Sequence, residues 1–258
     1  MKTLLSIAAF AAVLAARAEI PSLDVPFTKA APVIDGDISD DCWRDAAVIT
    51  RLRPALGAAG AADTDLQETV ARVLWTSDFL FVAFDCVDDE VYTTGTMRHD
   101  DDIYKEDVVE IFIDGVGDGR QYIEVQIAPD GTNLDLMYVY TSAITNAPDG
   151  RVEMPILLKD RWDFREWEMA GLVTAARKTE RGWSAEAALP AKDIVRRLGE
   201  TGFKPGMELR VQFARYDWVP IGEGSIERRI IQQTWNPVIL GNPHNAPGLF
   251  GVLRLNAK

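Results

Sequence analysis

The chain has 258 residues, 47% of them hydrophobic and 26% charged, with a formal net charge of -13. That size suits one large domain or two small ones around a substantial buried core. The acidity excludes nucleic acid and anionic membrane surfaces, which need a basic face; it is compatible with neutral ligands or divalent cations, or simply keeps an exported protein soluble.

Residues 1–18 read as a signal peptide. Lys2 is the positive start, Leu4 to Ala16 the apolar stretch, and Ala16-Arg17-Ala18 the cleavage site. The apolar stretch is too short to span a bilayer, and no later run is long enough, so membrane insertion is not expected. The predicted mature protein starts at Glu19 and is secreted or periplasmic. Cys42 and Cys86 are then open to a disulfide in an oxidising compartment, with two buried free thiols as the alternative.

Residues 19–31 read as an extended N-terminal arm, and residues 32–258 as one domain. Val33 and Ile34 predict a short strand, and Asp35-Gly36 a turn. Ser39 or Asp40 predicts the cap of a short helix whose Trp43 packs in the core. Val48 to Leu52 reads as strand and Leu56 to Asp65 as a surface loop. Val70 to Thr76 and Phe79 to Val87 form a hairpin, and Trp75 reads as structural. Asp88 to Lys105 is a polar loop holding His99 and the run Asp100-Asp101-Asp102. The better expectation there is solvated carboxylates, because consecutive ones rarely converge on one ion.

Tyr104 to Gly115 predicts a strand that is apolar on nearly both faces, with Glu110 interrupting it. In the next strand Ile123, Val125 and Ile127 point one way, and Tyr122, Glu124 and Gln126 the other. Pairing the two strands makes a polar patch of Glu110, Glu124 and Gln126 with Tyr104 at its edge, a face suited to a small molecule. The alternatives are a buried or edge carboxylate at Glu110 paired with Arg, and a solvent-facing Gln126. Leu134 to Thr141 is a further strand, and Asn146 to Arg151 a turn-rich break. Leu172 to Lys178 and Trp183 to Leu189 form a second hairpin, followed by a short helix over Pro190 to Leu198. Leu209 to Tyr216, Ile230 to Trp235 and Phe250 to Leu255 complete the strands. Short, evenly spaced strands with one or two short helices predict an all-β antiparallel sandwich, jelly-roll or immunoglobulin-like.

I-D-G-x-x-x-D-x-x-W at Ile34 to Trp43, V-L-W-T-S-D-F-L-F-V-A-F, E-D-V-V-E-I-F-I-D and the tail P-G-L-F-G-V-L-R-L follow one another in the chain. Together they resemble family 9 carbohydrate-binding modules, with a DOMON-like sandwich. The resemblance implies non-catalytic binding of an oligo- or polysaccharide between two aromatic side chains beside a polar strand face. By position the aromatics fall on Tyr104 and His244, the acidic contact on Glu110, and further polar contacts on Glu124 and Gln126. The family has Trp where His244 stands and Arg where Glu124 stands, which implies a smaller clamp and an altered specificity. Trp218 and Trp235, near His244 in the chain, are candidates to widen the platform. The resemblance requires no cofactor, leaves a structural calcium ion open, and implies action at a cell surface or beside a separately encoded glycan-degrading enzyme.

Two other classes stand beside this reading. One is a structural or cell-surface interaction domain that has lost sugar binding. The other is a haem b electron-transfer domain, with ligands drawn from Met97, Met137, Met207, His99 and His244. Catalysis is not expected. No G-x-S-x-G, H-E-x-x-H, phosphate loop or zinc spacing is present, and a shallow sheet face gives Glu110 and Glu124 no cleft.

Overall fold

The alternation predicts two layers, and the computed structural model has them. It describes residues 20–55, 66–140, 161–237, 243–245 and 247–256. The signal peptide, the loop over 56–65 and the break over 146–151 lie outside the described residues. One sheet holds β4 (Thr69–Trp75), β5 (Phe79–Val87), β2 (Ala47–Ile49), β10 (Val173–Thr179) and β11 (Gly182–Pro190), in the order β10-β11-β5-β4-β2.

The larger sheet runs β1-β14-β12-β6-β7-β8-β9. These are Ser22–Pro26, Gly251–Asn256, Glu208–Pro220, Val108–Asp114, Gln121–Ile127, Asn133–Tyr140 and Arg161–Phe164. β12 is long enough to pair with β14 along its first part and with β13 (Arg228–Thr234) along its last, and β13 pairs with β3 (Arg53–Pro54). Among the described residues helix is confined to short pieces, α1 (Ala191–Ile194) being one.

Period-2 patterning sets the core. Val109, Ile111 and Ile113 of β6 and Ile123, Val125 and Ile127 of β7 face the other sheet. They meet Val82, Phe84 and Cys86 of β5 and Trp183, Ala185 and Ala187 of β11. Each such side chain contributes about 1.5–3 kcal/mol on burial. Trp75 is structural, its indole N–H reaching the carbonyls of Val25 and Asn256 at 3.1 Å.

The outer face of the smaller sheet anchors the segment that opens the domain. Glu186 accepts from the backbone N–H groups of Asp35 (3.1 Å) and Gly36 (2.8 Å) and from the Trp43 indole (2.8 Å). Gly36 has φ +85°, and a Cβ there would stand 2.9 Å from the Ala176 backbone, so the position needs glycine. Trp43 is buried as expected, but its helix is a 3-10 turn over Asp41–Asp45 and Asp40 makes no side-chain cap. Val33 and Ile34 form no strand.

Other expectations are corrected. The arm supplies β1, which pairs in parallel with β14, so the sheets are not wholly antiparallel. Cys42 and Cys86 are free thiols. Cys86 points into the core between the sheets, whereas Cys42 packs with Trp43 against the outer face of the smaller sheet. The sheet separates them.

Candidate functional site

The outer face of β12, β6, β7 and β8 carries the polar side chains left over from the core pattern. Glu110 sits opposite Gln126 across β6 and β7, and Phe112 opposite Glu124. The Gln126 amide nitrogen donates to Glu110 Oε1 at 3.0 Å and to Glu124 Oε1 at 2.6 Å. Glu110, Glu124 and Gln126 are 1%, 0% and 4% exposed, so anything reaching them must first move what lies over them. Glu110 Oε2, Glu124 Oε2 and Gln126 Oε1 are buried with no hydrogen-bond partner.

Burial governs the charge of this group. It raises Glu110 well above the carboxylate range, and the nearby Glu124 raises it further, while Tyr216 opposes the rise. Glu124 is pushed up to about 7 by burial, a rise opposed by hydrogen bonds from Gln126 and Tyr138 and by the positive fields of Arg161 and Arg165. Like-charged neighbours out of water cannot both ionise cheaply, so at neutral pH Glu110 keeps its proton.

Aromatic rings surround the pair. Phe112, Tyr122, Tyr138, Tyr140, Tyr216 and Phe250 form one buried cluster on this face. His244 stands 4.6 Å from the Tyr138 ring and 5.3 Å from that of Phe112, centroid to centroid. Its Nδ1 is 2.6 Å from the Tyr122 hydroxyl and its Nε2 3.6 Å from Glu124 Oε2, and the Tyr140 hydroxyl donates to its carbonyl. Burial depresses the His244 pKa well below its ordinary value, so the ring is neutral. The Arg161 guanidinium lies over the Tyr138 ring at 4.6 Å.

The structure thus brings Glu110, Glu124, Gln126 and His244 together. Tyr104 is 38% exposed at the edge, where its carbonyl accepts from the Trp218 indole at 3.0 Å. His244 rests on Phe112, Tyr122 and Tyr138. Trp235 packs instead in the core between the sheets, against Phe213 and over Gly251. Sequence reasoning missed Tyr138, Tyr140, Tyr216 and Arg161. The alternation that set Tyr122 beside Glu124 extends to β8 and β12 and could have found the tyrosines.

A second aromatic surface lies at β9. Phe164, Trp167, Met137, Val139, Arg165 and Arg196 line an open groove of about 640 Å³, and Trp162 on the same strand is largely exposed.

Two clusters of metal-ligand atoms lie among the described residues. Asp88, Asp107 and Asp217 lie within 4.8 Å of one another. A cation already serves them: the Arg215 guanidinium reaches Asp88 at 2.9 Å and Asp217 at 3.5 Å. The other cluster joins His99 to Asp135 and Glu168. His99 Nδ1 is held by Asn133 Oδ1 at 2.7 Å, and its Nε2 is 3.2 Å from Glu168. Of the acidic run, Asp101 accepts from the Arg98 backbone and Asp102 pairs with Lys105 and Arg165.

A family model described as carbohydrate family 9 binding domain-like matches residues 34–257. Among solved structures, a family 9 carbohydrate-binding module from Caldicellulosiruptor kristjanssonii in complex with cellotriose is similar. Its TM-score is 0.59 at 16% identity, covering 92% of this chain and 94% of that one. The same organism's module in complex with glucose gives 0.59 at 14%, covering 91% and 96%. At these identities the likeness is one of fold. The comparison with curated proteins finds no match.

Proposed function

Because the chain belongs to the carbohydrate family 9 binding domain-like family, we propose that it is a non-catalytic glycan-binding module whose sugar sits on the outer face of β6 and β7. The observation that carries this reading is the bridged trio of Glu110, Gln126 and Glu124, each with an unpartnered buried oxygen. Leaving such atoms unpaired is costly, and sugar hydroxyls are donors of the right size to satisfy them. At the rim, the partly exposed rings of Tyr104 and Trp218 offer π faces to sugar C–H groups. Cellotriose and glucose, bound by the similar modules, are the first ligands to try. Export by the signal peptide read in residues 1–18 would place the module outside the cytoplasm.

The experiment is a glycan-panel binding assay on residues 19–258, with Glu110→Leu as the control. Exchanging a buried carboxyl for an apolar side chain of similar length leaves the fold intact, which a melting curve checks. Binding by the wild type and its loss in Glu110→Leu support the site. A second reading, a domain that kept the fold and lost sugar binding, is favoured by the closure of the face over all three side chains. Failure of a folded protein to bind any glycan selects it.

A further inference from the structure

Asp135 is an unusual residue for its place in the sheet. It lies opposite Val125 on the side of β8 that faces the smaller sheet, and it is buried. A carboxylate there is costly unless something offsets its charge. Its Oδ2 accepts from the Met169 backbone N–H, while Oδ1 lies 4.0 Å from His99 Nε2. Asp100 Oδ1, 3.6 Å from the same nitrogen, is buried with no hydrogen-bond partner, and Glu168 Oε1 stands 3.2 Å from it. Three carboxylates thus converge on one imidazole nitrogen. Arg165 is engaged elsewhere, donating to the Asp100 carbonyl and pairing with Asp102.

The imidazole is oriented for these carboxylates. Its Nδ1 lies 2.7 Å from the Asn133 side-chain oxygen and 3.1 Å from the Asn133 carbonyl. Both are acceptors, so Nδ1 carries a hydrogen and Nε2 is aimed at the acids. The Asn133 amide nitrogen is fixed in turn by donating to Thr174 Oγ1 at 2.6 Å. An outer partner that holds one ring nitrogen and so aims the other is the usual support of a metal-bound histidine. Ligand atoms about 2.0–2.2 Å from one tetrahedral zinc ion stand about 3.3–3.6 Å from each other. The spacings of 3.2, 3.6 and 4.0 Å from Nε2 bracket that range.

We propose that the protein binds one divalent ion of the zinc class through His99 Nε2, Asp135, Glu168 and Asp100. The nitrogen selects the metal, because imidazole suits zinc and its neighbours whereas magnesium and calcium prefer oxygen throughout. His99 and Glu168 are exposed, so an ion reaches the cluster from solvent and displaces the proton that Nε2 would otherwise hold against Glu168. The ion ties three segments together: the loop carrying His99 and Asp100, strand β8, and the connection from β9 to β10 that holds Glu168. The site is separate from the sugar face and does not depend on it.

The test is calorimetric titration of zinc chloride into untagged, chelator-stripped protein at pH 7.5. Wild type is compared with His99→Gln and Glu168→Gln, each checked for folding by circular dichroism; both side chains are exposed, so neither change disturbs the core. The expected result is one ion per chain, bound at least about tenfold more weakly by each variant, since changes to outer partners alone cost about 10–100-fold. Zinc should also raise the melting temperature of the wild type and leave that of His99→Gln unmoved. The chain has two histidines, and His244 is packed among aromatic rings, so a zinc signal lost in His99→Gln reports this cluster. No heat and no melting shift with zinc, or equal binding by the wild type and both variants, would overturn the site and leave His99 a plain ion-pair partner of Glu168. A larger melting shift with calcium than with zinc, lost in both variants, would overturn the assignment to the zinc class.

Discussion

Glu110 and Glu124 are joined through a single amide nitrogen, that of Gln126, 3.0 Å from one carboxyl and 2.6 Å from the other. The shared donor holds two buried acids on neighbouring strands in a geometry where one proton must stay.

This pair makes stability depend on pH in a definite direction. Both carboxyls have folded pKa values above the ordinary 4.5, with Glu124 at about 7. As pH rises from about 4.5 the unfolded chain releases these protons before the folded one does, so the folded state loses stability, for Glu124 until about pH 7. His99, raised to about 9 by its bonds to Glu168 and Asn133 against the effect of burial, acts in the same sense between 6.5 and 9. His244, depressed, acts oppositely below 6.5. The melting temperature of Glu110→Leu should therefore exceed that of the wild type by a few degrees at pH 8 and by less at pH 5, as read by differential scanning fluorimetry. Parallel curves would mean that the pair carries no shared proton.

Glu186 is the peg on which residues 34–43 hang. Glu186→Ala leaves two backbone N–H groups and the Trp43 indole without an acceptor and should cost roughly 3 kcal/mol. Trp43→Phe loses one of these bonds and part of the packing, for roughly 1–2 kcal/mol. Urea unfolding measures both, and limited proteolysis should nick the detached segment first in Glu186→Ala.

Arg215 is wholly buried, donating to Asp88 at 2.9 Å and to the Val87 carbonyl at 2.7 Å. Arg215→Ala strands Asp88, Asp107 and Asp217 together and should cost about 3–5 kcal/mol near neutrality. Part of that loss should return at pH 5, because protonating the stranded carboxyls removes their repulsion. Urea unfolding at the two pH values checks this, and an equal loss at both would show that packing rather than charge is responsible.

Much of this was legible in the sequence, and the reason is local. Apolar runs on either side of Ser77-Asp78 gave the β4–β5 hairpin, with β5 beginning at Phe79 and ending at Val87 as read, and alternation set Glu110, Glu124 and Gln126 on one face. The family motifs also resolve into contacts: Gly36 and Trp43 meet Glu186, and Gly251 leaves room for the Trp235 ring. What escaped depends on long-range geometry. Pairing Ser22 with Val252 joins the chain's two ends, and no local pattern reports it. The core placement of Trp235 follows from its neighbour Gly251, and the opposed directions of Cys42 and Cys86 follow from which side of one sheet each segment covers. Tyr138 and Tyr216 reach Glu124 and Glu110 from β8 and β12, strands on opposite sides of the pair.

The most direct test of the sugar site is a calorimetric titration of the best-binding glycan against the wild type, Glu110→Leu and Phe164→Ala. The outer face of β6 and β7 predicts that Glu110→Leu abolishes binding and that Phe164→Ala, in the groove beside β9, leaves it unchanged. Retained binding in Glu110→Leu together with loss in Phe164→Ala would contradict it and move the sugar to the groove.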